Sequence, residues 1–417
     1  MTHWPAVLAA AGAGVAIALN VGKVPLAIGA LRAELGLSLV QAGWVSSALV
    51  TLAVCAALAV GLVAGRLGAL RLLLGGLLLG GLASLSITLL PPALLAGQAG
   101  AAGAAGAGAG SAGAGFGWLL AARLAEGAGF LAVAATAPTL ISAAAAPADR
   151  RFALGVWATY LPAGAGLAMA LSPLLLALAG WRGLWWLASA GLFTAAAAAW
   201  LQRAHYAGAA PGSHAGDWRP TLAVLRQPLP WLYGLAFGLW ALQHFALIVW
   251  MPSFLREQRG LAPASVALLT CTMLLACVPG NLIGGMLVQR GVSRGRLIVA
   301  THAATGLLGL GCFSAVLPDG LRFACSVALS FAGGLIPAAA LSASVALART
   351  PAQIGAVQGA VMQCSQLGQF IGTPLIAAVV AASGQWASAR WVTAGAAALG
   401  MLLGGLALRA ERRLQAG

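Results

Sequence analysis

Apolar runs of 18 or more residues recur along the chain, separated by short polar breaks. Each is long enough to cross a bilayer as a helix. Twelve spans are read, over residues 5–31, 41–64, 70–90, 116–141, 152–178, 183–202, 230–253, 263–288, 296–317, 321–347, 353–382 and 390–409. The longest polar break, Arg203 to Pro230, contains His205, Pro211, Asp217, Arg219, Pro220, Arg226 and Pro228. It divides the chain into an N-terminal six-helix bundle (1–202), a cytoplasmic linker (203–229) and a C-terminal six-helix bundle (230–417). Gly97 to Gly115 is nearly all Gly and Ala. It reads as a flexible loop insertion, too rich in Gly to make a good helix.

Composition agrees with this pattern. The 417 residues are 61% hydrophobic and only 7% charged, where a soluble domain carries about 25% charged residues. The expected class is therefore an all-α integral membrane protein. The formal net charge of +15 reads as cytoplasmic anchoring charge and not as nucleic-acid binding. The first run is too long for a signal segment and has no basic stretch before it, so it is read as a retained span. The six cysteines, Cys55, Cys271, Cys277, Cys312, Cys325 and Cys364, fall in apolar segments without a CxxC or Cys/His spacing. Free, buried thiols are expected, with no metal and no cofactor.

Arginine placement sets the orientation. With the N-terminus inside, the inner loops and tail hold Arg66, Arg71, Arg150, Arg151, Arg203, Arg219, Arg226, Arg290, Arg294, Arg296, Arg349, Arg409, Arg412 and Arg413. The outer loops hold Arg32, Arg182, Arg256, Arg259, Arg322 and Arg390. The imbalance places both termini in the cytoplasm. A multi-pass monomer in a bacterial inner membrane is expected.

The first span carries an exception to its own hydrophobicity. Asn20-Val21-Gly22-Lys23-Val24-Pro25 lies inside it, and Lys23 is the only lysine of the chain. A charge there costs at least ~2.5 kcal/mol even on insertion scales, so it needs a reason. Gly22 and Pro25 weaken the helix beside it. Three readings are open. Lys23 binds an anionic substrate, pairs with a carboxylate such as Glu126, or snorkels toward the outer surface.

The two halves repeat each other. Leu31-Arg32 with Gly36-Leu37 reappears as Leu255-Arg256 with Gly260-Leu261. The same shift carries Gly61 onto Gly285, Arg66 onto Arg290 and Asn20 onto His244. Ser172-Pro173 matches Thr373-Pro374 at a smaller shift, the difference being about the length of the Gly/Ala insertion. Parallel repeats of this kind occur in secondary transporters, with substrate bound near the midplane. The polar groups of spans one and seven, Asn20 and Lys23 against Gln243 and His244, are candidates to bind it.

These features resemble the major facilitator superfamily, and the likeness covers nearly the whole chain. Gly61-Leu62-Val63-Ala64-Gly65-Arg66-Leu67-Gly68 with Arg71 is similar to that family's loop between spans two and three. The resemblance implies a conformational role for Gly61, Arg66, Gly68 and Arg71, and for Gly285 and Arg290 in the second copy. The family's acidic residue is replaced by Gly65 and Gln289, so its charge latch does not carry over. Arg123-Leu124-Ala125-Glu126-Gly127-Ala128-Gly129 is similar to the Arg-x-x-x-Gly-x-Gly of span four, whose arginine the family links to proton coupling or substrate charge. Asn20, the Leu-Gly-Leu-Ser of 35–38 with Ala42-Gly43, and Trp181-Arg182 before Trp185-Trp186 resemble the branch containing cyanate and nitroimidazole transporters.

Glu126 is the one carboxylate placed deep in the membrane, and Arg123 shares its helix face at i and i+3. Glu126, Arg123 and His244 are the candidates for proton coupling. Glutamines 358, 363, 366 and 369 lie in span eleven among glycines that allow close helix approach. Gln358 and Gln366 are candidate substrate ligands. So is Tyr160, with Trp157, Trp240 and Trp250 as further aromatics that either stack on substrate or pack.

The expected function is secondary active transport of a small organic anion by alternating access, coupled to protons. A drug or metabolite efflux antiporter is the alternative, although span five lacks that group's Gly-Pro and Gly-pair signature. A non-transporting sensor on the same fold also remains open. The chain has no HExxH and no P-loop, which argues against an enzyme or an ATP-driven pump.

Overall fold

The computed structural model describes residues 1–89, 109–209, 223–314, 316–348 and 350–416, without the side chains of some helical residues, 56–66 among them. All its regular elements are helical. In chain order they are α1 (Trp4–Leu35), α2 (Leu39–Leu67), α3 (Ala69–Leu89), α4 (Ala109–Ala144), α5 (Arg150–Ala158), α6 (Tyr160–Leu201), α7 (Pro228–Arg259), α8 (Pro263–Gln289), α9 (Arg294–Cys312), α10 (Asp319–Gly333), α11 (Leu335–Leu347), α12 (Pro351–Ser383) and α13 (Ala389–Ala416). Nine helical segments among the described residues are long and apolar enough to cross a membrane. One of them, Phe152–Leu201, runs to 50 residues and is broken at Gly180 (φ 61°, ψ −160°). With the shorter Leu39–Cys55 and α9, this is consistent with twelve spans.

Several elements differ from the sequence reading. Span ten is two helices joined at Gly334, where the backbone passes against Cys277 and Gly280 too closely for a Cβ. Span five begins as α5 and resumes as α6 after Thr159. The helix of span four extends back into the Gly/Ala stretch as far as Ala109, because adding turns to an established helix costs far less than nucleating one. The rest of that stretch, and 210–222 of the linker, lie outside the described residues. The described ends of the linker are short 3-10 turns, Arg203–Ala209 and Ala223–Arg226. The cysteines are free, but only Cys312 and Cys364 are buried, while Cys55 is exposed.

The helices form two compact units. One comprises Met1–His214 with Leu255–Leu268, the other Ala215–Phe254 with Leu269–Gly417. In the first unit α1 packs along α6, α3 along α4 and α6, and α2 along α4. The crossings are made by small residues. A Cβ on Gly22 or Gly164 would collide with the backbone of Ala165 or Val15, and one on Gly127 with that of Leu49. In the second unit, Gly238, Gly368 and Gly372 bring α7 against α12, and Gly280 sets α8 against α10. Without a hydrophobic drive between helices in lipid, such close backbone approach is a main source of association.

The repeat is visible in the backbone itself. Six glycines have positive φ among the described residues, and they fall into three pairs. Gly36 (63°) pairs with Gly260 (60°), Gly68 (84°) with Gly291 (86°), and Gly180 (61°) with Gly384 (68°). Each pair sits at the shift read from the sequence, or close to it. Gly68 turns the chain between α2 and α3. The second copy has its close approach at Gly284, against Leu335, while Gly285 faces open space. Arg71 and Arg290 are exposed. Gly61 and Arg66 lie in α2, their side chains outside the described ones.

The N-terminus is tethered. Tyr206, after α6, donates its hydroxyl to the Ala6 carbonyl at 2.7 Å. Burial pushes this hydroxyl from its ordinary 10.0 up to about 12. Its contribution to stability is therefore complete below pH 10 and is lost as pH rises through that window. Tyr206→Phe should remove about 1 kcal/mol of stability near neutral pH and flatten the decline above pH 10, read by thermal unfolding in detergent at several pH values. Gly180→Ala should cost ~1–3 kcal/mol, because its φ and ψ are open to glycine alone. Gly12→Ala, in open helical surroundings, should be neutral or stabilise by up to ~1 kcal/mol.

Candidate functional site

Four helices of the first unit bring polar side chains to one point. Lys23 of α1 is fully buried. Its ammonium donates to Glu126 Oε1 at 2.7 Å, to Asn20 Oδ1 at 2.6 Å and to Ser84 Oγ at 3.0 Å. All three of its N–H groups are thereby directed. The indole of Trp185, from α6, lies under the ammonium with its ring centroid 4.4 Å away, a cation–π contact strengthened by desolvation. Lys23 therefore does not snorkel; the count of residues along span one gave its height but not its facing.

Glu126 is held from both sides. Lys23 meets one oxygen and the Arg123 guanidinium the other. Ser84, from α3, donates to Oε1 at 2.6 Å. Arg123 also donates through Nε to the Val45 carbonyl of α2 at 3.0 Å and through Nη1 to the Asn20 carbonyl at 3.2 Å. One turn on, Pro25 has no N–H for the Val21 carbonyl, so α1 is loosened where the cluster assembles. Two cations and one carboxylate leave a net buried charge of +1.

The far side of the cluster is braced at the end of α1. Glu34 accepts from Trp181 Nε1 at 2.8 Å and pairs with Arg182 at 2.6 Å. Trp181 meets Trp185 edge to face at 5.3 Å. The break at Gly180 thus feeds a Trp-Arg clamp that fixes Trp185 against Lys23.

The remaining candidates sit elsewhere. Tyr160 stacks on Trp157 at 4.2 Å beside Gly14, about 13 Å along α1 from Lys23. In the second unit, His244 bonds Ser330 Oγ at 2.8 Å and stacks on Trp240 at 4.5 Å. Gln243 is buried and donates to the Leu239 carbonyl at 3.3 Å. Gln366 accepts from Gln369 at 2.7 Å, whereas Gln358 is exposed. Trp250 donates to the Thr373 carbonyl at 2.9 Å.

The sequence profile of the Major Facilitator Superfamily matches residues 8–373. The chain belongs to this superfamily. As a member it is a multi-pass membrane transporter and not an enzyme. Its fold is similar to that of a bacterial homolog of the human lysosomal transporter Spinster, in an inward-facing, unoccupied conformation (TM-score 0.80, 14% identity, 97% of this chain and 96% of that one). It is also similar to a D-xylose-proton symporter (TM-score 0.73, 12% identity, 97% of each chain). No curated protein matches it by sequence.

Two members of this transporter's cluster escaped the sequence reading. Ser84 is one hydroxyl among many in the spans, and only its depth relative to Asn20 could have marked it. Trp185 stood in a quoted motif without a role. The charge balance orders the variants of the ion pairs. Glu126→Gln raises the buried charge to +2 and strips both cations of their partner, so it should cost ~3–5 kcal/mol. Lys23→Met leaves Glu126 on Arg123 with no net charge and should cost clearly less. Thermal unfolding of the two purified variants checks the order.

Proposed function

We propose that the protein is a proton-coupled secondary transporter of a small organic anion, working by alternating access. The observation that carries this is the net positive, fully buried Lys23–Glu126–Arg123 cluster. A proton on Glu126 frees both cations and raises the buried charge by one. A monoanion taken up by those cations restores it. Proton and anion entering together leave the buried charge unchanged, so the pair crosses at lower electrostatic cost than either alone. Substrate and Glu126 thus compete for the same cations. Asn20 and Ser84 hold Lys23 and Glu126 in position; Gln243, His244 and Gln366 are polar groups offered by the C-terminal half. A structural neighbour that is itself a proton symporter supports coupling on this fold.

In this reading the cytoplasmic loops around Gly61, Arg66, Gly68 and Arg71, and Gly285 and Arg290, carry the conformational change. The bundles are 1–202 and 230–417, joined by the linker 203–229. The excess of arginine on one side supports cytoplasmic termini and a bacterial inner membrane. The loose likeness to the cyanate and nitroimidazole branch supports a small substrate, without naming one.

Vesicles loaded with purified protein provide the test. Uptake of a panel of labelled small carboxylates should rise several-fold with an inward proton gradient for at least one member. Glu126→Gln should keep anion exchange while losing the response to the gradient, and Lys23→Ala should lose both. Uptake of only neutral or cationic solutes, or full activity of Lys23→Ala with every anion carried, would overturn the proposal. Resistance conferred by expression would instead favour a drug or metabolite exporter, and binding without flux a sensor.

A further inference from the structure

The cluster has more donors than acceptors. Asn20 and Trp185 are both buried without exposure, and each keeps one polar atom without a partner among the described residues: Nδ2 of Asn20 and Nε1 of Trp185. Both flank the same ammonium. Asn20 is tied to it through Oδ1 at 2.6 Å, which fixes Nδ2 as the free end. Trp185 lies under it at 4.4 Å. The contrast with Trp181 is direct, since its own N–H is satisfied by Glu34. A buried N–H without an acceptor costs about 1–3 kcal/mol, and here two such groups stand beside two cations.

We infer that Asn20 Nδ2 and Trp185 Nε1 complete an anion seat with Lys23 and Arg123, and that the seat takes the two oxygens of a small monocarboxylate. This rests on the anion-transport reading above and adds its substrate class and a specificity residue, Trp185. Lys23 directs all three N–H groups to the protein, and Arg123 is bonded to Glu126 and to two carbonyls. Arg123 spends Nε and Nη1 in those bonds, and beside it Asn20 Nδ2 and Trp185 Nε1 are neutral donors without a partner among the described residues, one nitrogen for each carboxylate oxygen. Charge balance selects a monoanion, because a dianion entering with one proton would change the buried charge. Lys23 occupies a face of the Trp185 ring, so the indole offers the substrate its N–H edge.

The full-length protein, labelled with 15N at its tryptophan indoles and titrated with acetate and with succinate, tests this. The Trp185 resonance is identified by its disappearance in Trp185→Phe or, should that variant not fold, in Trp185→Tyr. Acetate should shift that resonance, and Trp185→Phe, which keeps an aromatic ring beside Lys23, should bind acetate about tenfold more weakly. Trp185→Tyr, which supplies a hydroxyl donor, should recover part of the loss. Succinate should bind more weakly than acetate. A Trp185 resonance unmoved at saturating acetate, or acetate affinity unchanged in Trp185→Phe, would overturn the seat while leaving anion transport standing. Absence of acetate binding to the wild type alongside measured carboxylate uptake would also overturn it. Absence of both binding and uptake would sink the transport reading itself.

Discussion

An ammonium sealed inside a helical bundle is tolerable only if every N–H it carries finds an acceptor. Lys23 imposes that condition on the first unit, and much of the surrounding architecture satisfies it. Asn20 supplies an acceptor one turn back on the same helix, Ser84 comes from α3, Glu126 from α4 and an aromatic face from α6. None of these helices can move far without exposing the charge. The small residues that let α1 approach α6, and α4 approach α2, are therefore part of the electrostatics as well as the packing. Removing a Cβ at Gly22 and at Gly127 brings the helices near enough for short side chains to reach.

The second unit repeats the backbone devices with Leu247 at the position that the repeat assigns to Lys23. Its left-handed glycines match those of the first unit pair by pair, and α7 meets α12 through glycines as α1 meets α6. Where the first unit has Asn20 beside an ion cluster, the second has His244 on Ser330 and under Trp240. Duplication preserved the scaffold, and chemistry diverged on it. The helix hinges and turns impose conformational demands that only glycine meets, whereas a polar pair inside a bundle can be replaced by another if each atom is satisfied.

Fold and site were legible in the sequence to different depths. Hydropathy and the Leu-Arg with Gly-Leu repeat were enough for the membrane class and the duplicated architecture, because the bilayer forces long apolar helices whatever their contacts. The pairing of Lys23 with Glu126 stood among three readings, since a sequence gives a charge its height along a helix but not its facing. Ser84 and Trp185 were hidden for the same reason. A serine in a span usually satisfies itself on its own helix, as Ser172 does on the Ala168 carbonyl. Tyr160 and Gln358 attracted notice by residue type, and the structure places the first against Trp157 and the second at the surface. The division of span ten at Gly334 left no hydropathic mark, because both pieces are apolar.

The separation of Lys23 from its carboxylate along the chain bears on how the protein is made. The two are 103 residues apart. At a synthesis rate of about 5–20 residues per second, Lys23 exists for roughly 5–20 s before Glu126 is added. The first span must therefore enter the bilayer bearing a charge whose partner has not been translated. What holds it there in the interval is the apolar length on either side of the lysine. The alanines and leucines of α1 serve the ribosome-bound nascent chain before they serve the finished bundle.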